Sequence, residues 1–255
     1  MAERDDALLR FAADLLLFLA PRHRSGLVRL TADGTSTLGH VVTSLGVPLP
    51  EVGSLTVDGA IVTAAHRLRG GESADVAAVS RPQRLPRARF ILDVHLGTLA
   101  RRLRLVGVDT VYANDRDDDA LIEQANAEGR VLLTKDRGLL RRRKLRAGGY
   151  VRGARADAQL RDVLDRFAPP LAPWTRCLAC NGPLKAASLA EVEDQLQPGT
   201  RRTYHEFARC ADCGRAFWRG AHGPRLDAIV NSAAAIVAAS SARVTYSARG
   251  GGCTE

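Results

Sequence analysis

Apolar and polar positions alternate with changing period along the chain. In the first 80 residues, runs at 14–20 and 27–31 predict two strands. A helix is predicted next, with Ser36 as its cap, Leu38, Val41, Val42 and Leu45 as its apolar stripe and Gly46 as its stop. Short strands follow at 54–57, 60–63 and 75–79, the first two joined by Asp58-Gly59, a hairpin signal. Residues 81–89, with two prolines and four arginines, have no apolar period and are expected to be a linker. From residue 90 the pattern alternates between strand and helix. Phe90, Ile91 and Leu92 run into Asp93. A helix over 95–106 carries Leu96, Leu99, Leu103 and Val106 on one face and stops at Gly107. A strand at 109–113 precedes a helix that Asp117 can cap, with Leu121, Ile122 and Ala125 inward and Gly129 at its end. A strand at 130–134, a basic helical or loop segment, a strand at 149–152 and a helix over 157–167, closed by Pro169-Pro170, complete the stretch.

The order strand, strand, helix, short strands in residues 1–80 is that of a ubiquitin-like β-grasp. The alternation over 90–168 predicts a parallel sheet with helices on both faces, so the fold class is α/β. Residues 174–226 hold two cysteine pairs. A tail over 227–255 follows, with a helix predicted over 226–239 and the final dozen residues expected to be disordered.

The chain has 255 residues, 37 Lys+Arg against 28 Asp+Glu, and a pI of about 9.9. Such a balance favours a polyanionic partner, nucleic acid before an anionic membrane surface. No segment approaches the ~20 apolar residues that span a bilayer, and acidic residues precede the first apolar run where an export signal carries positive charge. The expectation is a cytoplasmic protein whose thiols stay reduced and serve as metal ligands before disulfides.

In an open α/β sheet, ligands bind beyond the carboxyl ends of the strands. Three strands here run towards carboxylates: Asp93, Asp115 and, after Thr134, Asp136; Asp118 and Asp119 open the helix after Asp115. Carboxylate oxygens gathered on one rim suit magnesium or manganese, which can activate water and stabilise charge on a phosphodiester. Each carboxylate also has a plainer role available, as a turn residue or helix cap. Arg101, Arg102 and Arg104 are placed on the polar side of the first helix of this stretch. Arg137, Arg141, Arg142, Arg143, Lys144 and Arg146 cluster further on. Together they could hold a phosphate backbone, or form a solvated basic face.

Cys177-Leu-Ala-Cys180 and Cys210-Ala-Asp-Cys213 are two knuckles with 29 residues between them. Four thiolates satisfy tetrahedral zinc and leave no open position, so a structural zinc ribbon is expected rather than a redox dithiol. His205 and His222 are alternative ligands and Cys253 a bystander. Arg201, Arg202, Arg209, Arg215 and Arg219 surround the knuckles and could touch RNA.

The stretch from Arg89 through Asp93 to Gly107, the segment with Asn114, Asp115 and residues 117–119, and the run from Gly129 through Thr134 and Asp136 to Leu140 resemble the RNase family named after the C-terminal region of the Mut-seven exonuclease. Phe217-Trp218-Arg219-Gly220-Ala221-His222 and the ribbon are similar to that family's last part, and the β-grasp to the ubiquitin-like domain that often precedes it. The resemblance implies a PIN-like, metal-dependent ribonuclease. Asp93, Asp118 and Asp136 would be its catalytic residues, with Thr134, Asp115 and Asp119 in support, and Asp93 and Asp136 holding magnesium or manganese. Asp157 is the nearest counterpart of a fourth acidic residue. The alternative is a non-catalytic RNA- or ribosome-binding protein that keeps the fold. A sulfur-carrier role for the N-terminal domain is disfavoured, since Gly70-Gly71 is internal; docking of a protein partner or selection of substrate fits better.

Overall fold

A computed structural model of the protein describes residues 6–249, and the chain divides into two compact units. The first comprises Met1–Ser80 and Thr134–Tyr150, the second Arg81–Leu133 and Val151–Glu255.

The first unit starts with β1 (Asp6–Phe11) and reaches β2 (Leu27–Thr31) through a 3-10 helix at Ala13–Phe18. The expected strand at 14–20 is therefore a helical turn. Leu15, Phe18 and Leu19 are the buried residues there, at i, i+3 and i+4, a helical spacing. The true first strand lies upstream, where Ala7, Leu9 and Phe11 alternate inward. Helix α1 (Leu38–Ser44) is capped by Thr37, not Ser36. Thr37 accepts from His40 N (3.2 Å), while Ser36 is held by Asp33, which accepts from both its N–H and its hydroxyl. Thr37→Ala should lower the denaturant midpoint of this unit by the equivalent of ~1 kcal/mol. At Gly46 (φ 107) a Cβ would lie 2.6 Å from Phe18 O, so only glycine makes this stop. Strands β3 (Val52–Val57) and β4 (Ala60–Val62) form the expected hairpin, with Asp58 and Gly59 at φ 47 and 82. With β5 (Ser73–Ala78) the sheet order is β2-β1-β5-β3-β4, and β1 runs parallel to β5, as in ubiquitin-like domains.

The second unit opens with residues 81–88, held against a later helix by Arg81 to Asp162 (2.8 Å) and by Gln83 N to Arg166 O. Strand β6 (Arg89–Leu92) leads through a 3-10 turn into α2 (Gly97–Leu105). Then come β7 (Asp109–Tyr112), α3 (Asp118–Glu128) and β8 (Val131–Thr134). β6 pairs in parallel with both β7 and β8, so the three strands deliver their carboxyl ends to one edge. Phe90, Ile91, Leu92, Leu132 and Leu133 are fully buried between the flanking helices, as continuous apolar runs in parallel sheets are.

After β8 the chain belongs to the first unit for one excursion, with α4 (Arg137–Leu140) and β9 (Gly148–Tyr150). Tyr150 meets the edge of the Phe18 ring (5.2 Å between centroids), and buried Glu51 accepts from Tyr150 N (2.7 Å).

Back in the second unit, α5 (Ala156–Phe167) ends at Ala168 (φ 38), and Phe167 packs on Phe90. The ribbon follows, with β10 (Leu184–Ala187), α6 (Pro198–Thr203), β11 (Phe207–Cys210) and β12 (Ala216–Trp218) in an antiparallel sheet of order β10-β11-β12. Helix α7 (Gly223–Arg249) is far longer than the 226–239 expected. It buries Ala233 and Ser240 and packs on α5, where Asp165 accepts from Ser240 (3.2 Å) and pairs with Arg243. The disorder expected over the final dozen residues is thus corrected up to residue 249; the rest, Cys253 included, lies outside the described residues.

Candidate functional site

The acidic edge is built on the ends of β6 and β8. Asp93 N donates to Leu133 O (3.1 Å), which prolongs the ladder by one bond. Asp93 is 6% exposed, and its carboxylate accepts from His95 N (3.3 Å) through Oδ1 and caps the turn that opens α2. Gly97 makes room for Tyr112, whose hydroxyl donates to Val94 O (2.9 Å) and fixes the same turn. Thr134 is fully buried, and its Oγ1 accepts from Asp136 N (2.8 Å). Asp136 is exposed and caps α4, taking Gly138 N (2.6 Å) and Leu139 N (3.3 Å) both on Oδ1. Asp117 caps α3 as expected, accepting from Ala120 N (2.8 Å). Asp118 and Asp119 sit exposed in that helix's first turn, and Asp115 is exposed on the preceding loop. Asp157 lies in the first turn of α5, three-quarters exposed and paired with Arg102.

The basic residues separate into two kinds. Arg101 is exposed on α2, and Arg141, Arg142 and Arg143 flank a groove of about 470 Å3 whose other wall carries Thr37, His40 and Thr43. Lys144 is exposed as well. Arg137 lies over the rings of Phe18 (5.4 Å) and Tyr150 (5.9 Å) while remaining exposed. Arg104 is a correction. It is not on a polar face; it is 2% exposed and donates to the carbonyls of Thr110 (2.9 Å), Leu178 (3.0 Å) and Ala179 (2.8 Å). Arginine suits that place because its planar fork satisfies several carbonyls at once.

Those last two carbonyls belong to the first cysteine knuckle. The ligand atoms of Cys177, Cys180, Cys210 and Cys213 lie within 4.8 Å of one another, with Sγ separations of 3.7 Å (Cys177–Cys213) and 3.5 Å (Cys180–Cys210). These are far from a disulfide bond of ~2.05 Å. They approach the ~3.8 Å edge of a tetrahedron whose sulfurs stand ~2.3 Å from zinc. Gly182 N and Cys213 N donate to Cys180 and Cys210 Sγ. Asn181 (φ 74) and Gly214 (φ 72) supply the left-handed turns the knuckles need. Burial pushes the Cys180 thiol up to about 12, whereas the Arg215 N–H holds Cys213 down at about 7. Four thiolates so placed suit a divalent cation, and its retention should weaken as pH falls and the sulfurs take up protons. His205 and His222 lie outside this group. The carboxylates of the acidic edge form no comparable group among the described residues.

Sequence reasoning missed Asp109, read only as a strand start. It joins the ribbon to the sheet. It accepts from Arg130 (2.7 Å), Arg89 (3.2 Å) and Asn181 Nδ2 (2.8 Å), with Arg176 at 3.6 Å, and Asn181 Oδ1 in turn accepts from Thr110 N (2.9 Å). Burial alone would raise the Asp109 pKa. The bonds from Arg130 and Asn181 and the charges of Arg130 and Arg176 outweigh it and hold the group at about 2. No local signal marked it, since its partners lie at 89, 130, 176 and 181.

Among the described residues, no helix is long and apolar enough to cross a membrane. No match to the chain is found among curated proteins or solved structures. The family models do match: the Mut7-C ubiquitin model covers residues 5–84, and the Mut7-C RNAse domain model covers residues 88–230, more than half of the chain. With Asp93 at the strand end, the Thr134–Asp136 pair and the four-cysteine ribbon all inside that second match, the chain belongs to the Mut7-C RNAse domain family and carries that family's ubiquitin-like domain in front.

Proposed function

We propose that the protein is a metal-dependent ribonuclease. The observation that carries the reading is the burial of Asp93 at the end of β6 within the RNAse-family match. The carboxyl ends of parallel strands are where such sheets bind ligands, and Asp93 stands there with its Oδ1 already accepting from His95 N. Carboxylate oxygens suit a hard ion such as magnesium or manganese. Asp93 and Asp136 would hold it, and when bound it supplies a Lewis acid to the phosphodiester. Asp118 would add a ligand or orient the attacking water, with Asp115, Asp119 and Thr134 in support. Arg101, Arg102, Arg137, Arg141, Arg142, Arg143 and Lys144 hold the phosphate backbone.

Zinc on the four cysteines is structural, since four thiolates leave no open position. The β-grasp domain, residues 1–80, docks a protein partner or selects substrate, residues 90–168 form the catalytic domain, and the setting is cytoplasmic. One observation favours the rival reading, a non-catalytic RNA- or ribosome-binding module: Asp157, the counterpart of a fourth acid, is exposed and paired with Arg102.

The test is cleavage of a labelled structured RNA with manganese, magnesium or EDTA, beside the Asp93→Asn protein. Changing a residue that merely supports a metal ligand costs ~10–100-fold, so loss of a ligand itself should cost at least ~100-fold, with RNA binding retained. Cleavage unchanged in the variant would sink the assignment, and binding without cleavage by either form would select the rival.

A further inference from the structure

The ribbon carries a cavity that neither the cysteines nor the acidic edge uses. Its volume is about 330 Å3, at the small end of ligand pockets, which span ~300–1,000 Å3. The strand register makes its floor. Ala186 stands opposite Ala208, and Ala208 opposite Phe217, so these three share one face of the sheet. Two methyl groups beside one ring leave a shallow trough. Trp174, Arg219 and Glu206 complete the wall, while Lys185 and Trp218, which alternate to the other face of their strands, border the cavity at its edge, where Trp218 is 39% exposed.

Trp174 is brought there at a cost in backbone strain. Its φ is 65, a region that a bulky side chain rarely adopts. Trp174 N donates to Leu105 O and Ala172 N to Val106 O (both 3.1 Å). Only Gly107 permits this approach, since a Cβ there would lie 1.9 Å from Ala172 O. The Arg219 guanidinium lies 4.8 Å over the Trp174 ring.

We infer that this cavity takes an unstacked nucleobase of single-stranded RNA, with Lys185 and Arg219 holding its phosphate. The inference rests on the RNA reading above but on none of its catalytic residues. Flat aromatic walls suit any base, because every base has a π-face. The cations at the rim complement a phosphate, and Glu206 offers an acceptor to an exocyclic amino group. An apolar peptide would use the aromatics and leave Lys185 without a counterpart, with Arg219 answered only by the distant carboxylate of Asp227 at 3.8 Å. The basic run at 141–146 holds no aromatic residue on which a base could stack, whereas the ribbon does.

Trp174 and Trp218 are the two tryptophans of the chain, so intrinsic emission reports on this cavity directly. The full-length Asp93→Asn protein, which should not consume the probe, is titrated with a short single-stranded adenylate RNA and with an abasic ribose-phosphate oligomer of equal length. The bases should quench emission, and the abasic oligomer should bind about tenfold more weakly without quenching. Trp218→Ala should weaken adenylate binding about tenfold and Trp218→Phe should keep most of it. Arg219→Ala, which removes no ring, guards against a misfolded tryptophan variant and should weaken both oligomers. Equal affinity and quenching by the abasic oligomer would overturn the inference, as would Trp218→Ala and Arg219→Ala both binding like the parent. Emission that follows protein concentration rather than RNA would put a second copy on this face and overturn it too. A wild-type protein that cleaves RNA while its emission ignores bases removes the pocket alone. Base-dependent quenching in a protein that cleaves nothing removes the ribonuclease alone and supports the pocket.

Discussion

Stripping the metal from the four-cysteine site should melt far more than the ribbon. Structural zinc contributes ~10–16 kcal/mol in isolated finger peptides, so a knuckle without its ion unravels. Here the knuckle backbone is also a partner of the sheet unit: Arg104, 2% exposed, spends two of its donors on Leu178 and Ala179 carbonyls. Losing them leaves a buried guanidinium short of acceptors, a cost of ~3 kcal/mol. Asn181 goes with them, and with it the bonds to Thr110 N and Asp109. For a unit of this size, ~3 kcal/mol corresponds to a fall in Tm of roughly 10 °C. Calorimetry before and after chelation, with Cys177→Ser as the genetic equivalent, reads it. An unchanged transition for the parallel-sheet unit would show that ribbon and sheet fold independently.

The second large effect belongs to Asp109. Arg130 is 6% exposed and has Asp109 and Glu128 as its carboxylate partners. Asp109→Ala leaves that buried charge half-compensated and removes the acceptor of Asn181, Arg89 and Arg176. Breaking a buried pair from one side costs ~3–5 kcal/mol, so urea unfolding should show a loss in that range. Asp115→Ala, exposed on its loop, should stay within ~0.5 kcal/mol. The pH dependence follows in sign. An unfolded aspartate titrates at ~3.9, and the folded group at about 2. The stabilisation is fully present above pH ~4 and is lost as pH falls from there towards about 2. A wild-type acid transition that persists unchanged in Asp109→Ala would show that another carboxylate sets it.

What the sequence could reveal was whatever depends on spacing. The cysteine knuckles, the Asp58-Gly59 hairpin, the cap at Asp117 and the strand run into Asp93 all follow from residues a few positions apart, and all are found. Residues 14–20 misled because three consecutive leucines suit either period, and only tertiary packing selects the helical one. β1 was hidden by Asp6 and Arg10 on its outer face. Arg104 was misplaced because a wheel puts charge outward, and nothing local signals that knuckle carbonyls distant in sequence will meet it. Asp109 was invisible as a hub for the same reason: its partners lie at 89, 130, 176 and 181.

The excursion of residues 134–150 into the first unit bears on how this protein could be dissected or recombined. The two family matches part between residues 84 and 88, which invites a cut there. Such a cut would strip Tyr150 of Phe18 and of the Glu51 carboxylate, and Arg137 of a ring it lies over. The RNAse segment would then carry an unsupported stretch from Thr134 onward, including the Asp136 cap. Chain order is modular here while folding is not. Exchange of the front domain between relatives would therefore be tolerated only when the matching 134–150 stretch travels with it.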